Sequence, residues 1–115
     1  MYTKTDFELS PYRLMWMLVL FDLPVTEVEE RKNATKFRNF LLDNGFQMVQ
    51  FSVYTRLLSG KDSANTHIKQ IERNLPENGK VEIICITDKQ YQNILSFDSY
   101  QKTKKKSPLE QPLLF

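Results

Sequence analysis

At 115 residues, with 41% hydrophobic and 26% charged residues and a formal net charge of +2, the chain has the balance of one soluble globular domain rather than a disordered or membrane-embedded one. A chain of this length buries about two-thirds of the surface it exposes when unfolded, which leaves room for one site or one surface but not for separate catalytic and binding domains. No stretch is long enough to cross a bilayer, and the single cysteine, Cys85, excludes an intramolecular disulfide.

Residues 1–12 lack periodicity and read as a flexible lead-in. Leu14 to Asp22 reads as a strand, apolar through Phe21, too short for a helix and stopped by Pro24. The basic lead-in before this run is weak and no small-residue cleavage pattern follows it, so a cytoplasmic location is expected, with no membrane partner. A strand apolar at every position has both faces covered. In so small a domain helices cover one face, so the other is expected to meet a second copy, giving a homodimer. Thr26 followed by Glu29 has the spacing of a capping box, and the acids at 27, 29 and 30 suit a helix N-terminus, so a helix begins near 26. Ala34, Phe37 and Leu41, with Phe40 beside them, form its apolar stripe. Lys32, Lys36 and Asn39 fall on the opposite face, and Asp43, Asn44 and Gly45 supply the stop.

The β-branched and aromatic run 46–58 is too long for one ordinary strand and divides near Gln50 to Ser52. Ala64, Ile68, Ile71 and Leu75 mark a second amphipathic helix, capped by Asp62 or Ser63 and ended by Pro76 and Gly79. Residues 81–87 are a further strand, with Cys85 as a small buried hydrophobe, and the lone His67 reads as a solvated helix residue. This order is the βαββαβ unit of α+β, ferredoxin-like sandwiches: an antiparallel sheet with two helices on one face and the other face bare. A short helix over 88–97 with Tyr91, Ile94 and Leu95 inward completes a domain spanning 13–97. Residues 98–115 are a basic linker and an apolar end, whose Leu113, Leu114 and Phe115 are expected to dock on a partner as an exchanged edge strand.

Chemistry concentrates in few residues. Asp22 ends the apolar strand, and a carboxylate there can hold a metal ion or simply close the turn ahead of Thr26. Ser52 has no histidine partner on its own element, and no glycine-rich phosphate cradle exists. Phe51 and Tyr54 read as core rather than as base-stacking residues. Arg31, Lys32, Lys36 and Arg38 form a basic cluster without an acid, and a second cluster occupies 101–106. A cluster of this kind is a solvated face or, doubled by a two-fold axis, a band for duplex phosphates that binds without reading sequence.

The stretches VLFDLP (19–24), ERKNATKFRNFLLDNGF (30–46) and QFSVYTRLL (50–58) together resemble the CRISPR-associated protein 2 family, the small dimeric subunit of the spacer-acquisition machinery. The likeness runs from about Tyr12 through Leu95, and its wording is closest to members from systems with a single large effector nuclease. The lead-in of residues 1–11 is longer than the family pattern, and the tail after Phe97 matches it only in character. The resemblance implies a ferredoxin-like protomer, a two-fold dimer through the bare sheet face and a C-terminal strand reaching the neighbouring sheet. It implies further that Asp22 corresponds to the family's first-strand aspartate, proposed to bind Mg2+ with its symmetry mate and to support cleavage of RNA or DNA, and that Ser52 matches a serine near it. The expected role is that of a scaffold in CRISPR adaptation that bridges integrase subunits and holds duplex DNA, with a magnesium-dependent endonuclease acting through Asp22 as the alternative.

Overall fold

A computed structural model describes residues 14–99 and the backbone of residues 104–105. Four antiparallel strands lie in the order β2, β3, β1, β4, where β1 is Met15–Asp22, β2 Gln47–Gln50, β3 Val53–Leu58 and β4 Lys80–Thr87. Helices α1 (Val28–Asp43) and α2 (Lys61–Arg73) connect them, giving the βαββαβ order and the ferredoxin-like fold expected from the sequence. A third helix, α3 (Asp88–Gln92), follows β4, and the short strands β5 (Leu95–Ser96) and β6 (Lys104–Lys105) pair as a separate ribbon.

Alternation along β1 sorts its side chains between two environments. Met17, Val19 and Phe21 point to the helices and join Phe37 and Leu41 of α1, Phe46 just before β2, Tyr54 and Leu58 of β3, and Ala64 and Ile71 of α2 in one core. Phe21 sits at its centre, edge-on to Phe37 at 5.3 Å between ring centroids and against Tyr54 at 5.6 Å. The expected stripe of α1 is therefore its buried face. The glycine after α1 is required by geometry: Gly45 has φ +85°, and a Cβ there would collide with the Arg56 guanidinium, whose Nη1 donates to the Asn44 carbonyl at 2.6 Å.

Several local expectations shift. Helix α1 starts later than Thr26 because Glu30, not Glu29, reaches back: its carboxylate accepts from the Glu27 and Thr26 amides at 2.9 and 3.0 Å. Helix α2 begins directly after Gly60, whose carbonyl accepts from the Ala64 amide at 3.1 Å, so Asp62 and Ser63 lie in its first turn rather than capping it. Its end at Asn74 leaves Leu75 outside the helical stripe and exposed. Cys85 is exposed, because β4 is an edge strand with a half-open surface, and burial of what remains covered pushes its thiol pKa up. His67 is half-buried, with Nδ1 2.9 Å from the Ser63 carbonyl and its ring edge-on to Phe46. The helix expected over 88–97 ends at Gln92, and Leu95 leaves it as an exposed strand residue. The lead-in 1–12 and the apolar end with Leu113, Leu114 and Phe115 lie outside the described residues.

The second face of the sheet is bare only in part. Trp16 points to it and is 5% exposed because Tyr91 of α3 stacks on its indole at 4.0 Å and 11°. Asp88 Oδ1 accepts from the indole Nε1 at 2.8 Å, and the Asp88 amide donates to the Leu14 carbonyl at 3.3 Å, so α3 is tied across the start of β1. Thr55, also on this face, donates to the Met17 carbonyl at 3.1 Å and bonds the Tyr91 hydroxyl. Leu57 and Ile86 flank Trp16, and Leu18, Leu20, Val53 and Ile84 continue the face along the strands, with Leu57 and Ile84 exposed and the other four half-buried.

Candidate functional site

Asp22 is the last residue of β1 and, by alternation, belongs to the second face. It is exposed, and no side-chain hydrogen bond or ion pair joins it to another described residue. The turn-closing role open to it from sequence is thus unfilled, since Glu30 takes the amides at the start of α1. Lys80 stands opposite Asp22 in the β1·β4 register and pairs with Glu82 at 3.5 Å, both side chains being well exposed. An exposed pair of this kind contributes little to stability.

Ser52 reaches the same end of the sheet by the tight β2-to-β3 turn. Its φ of +67° is unusual for a residue with a Cβ, and the conformation aims its carbonyl at the Phe21 amide, 3.1 Å away. Main-chain pairing rather than a catalytic hydroxyl contact is what brings Ser52 beside the Phe21 to Asp22 step. Magnesium prefers several oxygen ligands. Among the described residues no three of His, Cys, Asp and Glu cluster, and the ammonium opposite Asp22 disfavours a cation. Asp22 is thus the one strand-end carboxylate that the described residues of a single protomer bring to this corner of the sheet.

The basic cluster on α1 separates into two groups, since each helical residue turns by about 100°. Lys32 and Lys36 share one outer face and are exposed, with no acid paired to either among the described residues. Arg31 and Arg38 lie to the side of them. Arg31 Nη1 donates to the Val25 and Thr26 carbonyls at 3.1 and 2.8 Å, so much of its hydrogen-bonding capacity holds the turn before α1. Arg38 is half-buried, its guanidinium lying over the Phe51 ring at 5.2 Å.

Two residues at these surfaces were missed by sequence reasoning. Arg73, at the end of α2, lines a cleft of about 290 Å³ with Lys36, Asn33 and Asn74. Distance in sequence hid the pairing. Phe51, read as core, is 76% exposed because the strand breaks at Gln50 and puts it in the turn, whereas Tyr54 is buried as expected. The two-residue gap between strands was the available signal.

The described residues define a small ferredoxin-like sandwich with a partly exposed apolar sheet surface, a carboxylate at its margin that pairs with none of them and a cationic outer helix. The chain belongs to the CRISPR associated protein Cas2 family, whose model matches residues 15–94. A CRISPR-associated endoribonuclease Cas2 of Paracidovorax avenae is 56% identical over 89 residues, covering 77% of this chain and 82% of the relative. One from Flavobacterium psychrophilum is 42% identical over 115 residues, the full length of both. A solved structure described as the crystal structure of cas2 matches with a TM-score of 0.50 at 23% identity, covering 83% of this chain and 93% of that one, in keeping with the fold.

Proposed function

We propose that this protein is a homodimeric, non-sequence-specific DNA scaffold of CRISPR adaptation, bridging integrase subunits and holding a duplex on its α1 helices. The observation that carries this reading is the pair Lys32 and Lys36, exposed on one helix face without an acid to neutralise them. Two such faces related by a two-fold axis make a phosphate-binding band from protomers of low net charge. The face formed by Leu18, Leu20, Val53, Leu57, Ile84 and Ile86 supports pairing of two sheets. Leu113, Leu114 and Phe115 complete the assembly by adding a strand to the partner's sheet. Changing Lys32 and Lys36 together to glutamate is expected to weaken duplex binding and to flatten its dependence on salt, by roughly 0.9 in logarithmic slope for each phosphate that is no longer neutralised. An unchanged slope in titrations of a folded dimer removes α1 from the interface.

The relatives' description as endoribonucleases, together with the unpartnered Asp22, favours a second reading: Mg2+-dependent cleavage of phosphodiesters. The two-fold partner would have to bring its own Asp22, so that two carboxylates hold the ion that activates water, with Ser52 close by. Replacing Asp22 with alanine separates the readings. A scaffold keeps duplex binding and assembly with the integrase after this change, and any nuclease activity disappears. Loss of assembly by a folded Asp22→Ala dimer counts against the scaffold.

A further inference from the structure

We propose that Phe51 and Arg38 form a stacking platform for an unpaired nucleobase, so that a strand reaching this end of the molecule is gripped by a base as well as by its phosphates. The inference deepens the nucleic-acid-binding reading and rests on it. Phe51 is the most exposed large apolar side chain described, 76% in water, yet its backbone is fixed: the turn is pinned by Ser52, whose carbonyl accepts from the Phe21 amide. Arg38 covers one face of the ring at 5.2 Å from the centroid, and the high exposure leaves the other face available.

The cation is equally unusual. Arg38 Nε is buried without a hydrogen-bond partner, and no acid pairs with the guanidinium among the described residues. A guanidinium left without an anion beside an open aromatic face suits a nucleotide: the base stacks on the ring while the flanking phosphate meets the remaining N–H donors. Stacking tolerates any base, which agrees with binding that ignores sequence. An intact duplex hides its base faces except at its ends, so the ligand of this platform is a single strand or the splayed end of a duplex. A protein anchored by the same Phe and Arg is the competing occupant, because both residue types are frequent interface anchors.

The test compares fluorescence anisotropy of labelled oligo-dT and of a blunt duplex on the full chain at low salt. Phe51→Ala is expected to weaken oligo-dT binding by about tenfold or more while duplex binding stays unchanged. Phe51→Trp is expected to retain binding, with its emission quenched by oligo-dT beyond any change in the parent, whose one tryptophan is the buried Trp16. No binding of oligo-dT by the parent, or an equal loss on both ligands in Phe51→Ala, overturns the proposal. So does a loss of dimer mass or of integrase binding with strand binding intact, which makes Phe51 a protein contact. If Phe51→Ala melts abnormally, quenching in Phe51→Trp decides alone. A neutral Phe51→Ala beside a weakened Lys32, Lys36 double variant discards the platform and leaves the scaffold standing.

Discussion

The two faces of the sheet are built from the same strands and handled in opposite ways. On the helix side every inward residue of β1 finds its neighbours within the chain, and Met17 and Val19 are wholly buried. On the other side the described residues bury the start of β1 under the short helix α3, Leu18 and Leu20 are half-buried, and the apolar surface runs on to Ile84, which is 47% exposed. An unbroken apolar strand therefore states that both faces are to be dry without stating which molecule dries them. The first face is a matter of folding; the second, past α3, is on the proposed reading a matter of association.

That contrast can be broken most severely on the covered side. Phe37 is buried between Phe21 and Phe40, so Phe37→Ala removes a ring from the centre of the core and is expected to cost about 3–5 kcal/mol in denaturant unfolding. A cost below about 1 kcal/mol would mean that the core collapses around the hole and that the aromatic cluster is not its centre.

The α3 patch comes next. Tyr91 is 1% exposed, and burial, opposed in part by the bond to Thr55, pushes its hydroxyl pKa up to about 12. A group whose folded pKa exceeds its unfolded one contributes stability below the unfolded value, near pH 10, and that contribution is lost as pH rises through the folded value. Unfolding free energy should therefore fall between about pH 10 and pH 12, by an amount on the order of 2 kcal/mol for this one group. Tyr91→Phe keeps the stack on Trp16 and cannot ionise, so its alkaline profile should be flatter than the parent's over that window. Parallel profiles would show that the hydroxyl is solvated and that α3 opens readily.

Most of the fold was legible because it rests on periodicity. The β1 run, the Ala34, Phe37, Leu41 stripe and the break between Gln50 and Val53 each follow from spacing alone. What was not legible depends on neighbours distant in sequence. Cys85 looked buried because its strand is apolar, but β4 lies at an edge, and edge position is a property of the whole sheet. Leu75 kept the helical spacing after the helix had ended. At the candidate site, Asp22 and the pair Lys32 and Lys36 could be singled out from local pattern, whereas the diversion of Arg31 to two loop carbonyls and of Arg38 to Phe51 required the turns to be in place.

The smallest effect on folding, and the sharpest probe of the contrast, is expected at Ile84. Its partner across the strands is Leu18, on the face beyond α3, and half of its side chain already meets water in the single chain. Ile84→Ser should therefore lower unfolding free energy at low protein concentration by only about 1 kcal/mol, the share of the side chain that the single chain covers. Where two copies pair through this face, the same change leaves a hydroxyl without a partner in a dry interface. Sedimentation at rising concentration should then show the variant dissociating at concentrations where the parent stays dimeric. A variant that unfolds early as a monomer would mean that the chain itself covers Ile84, and the division between a folding face and an associating face would have to be drawn elsewhere.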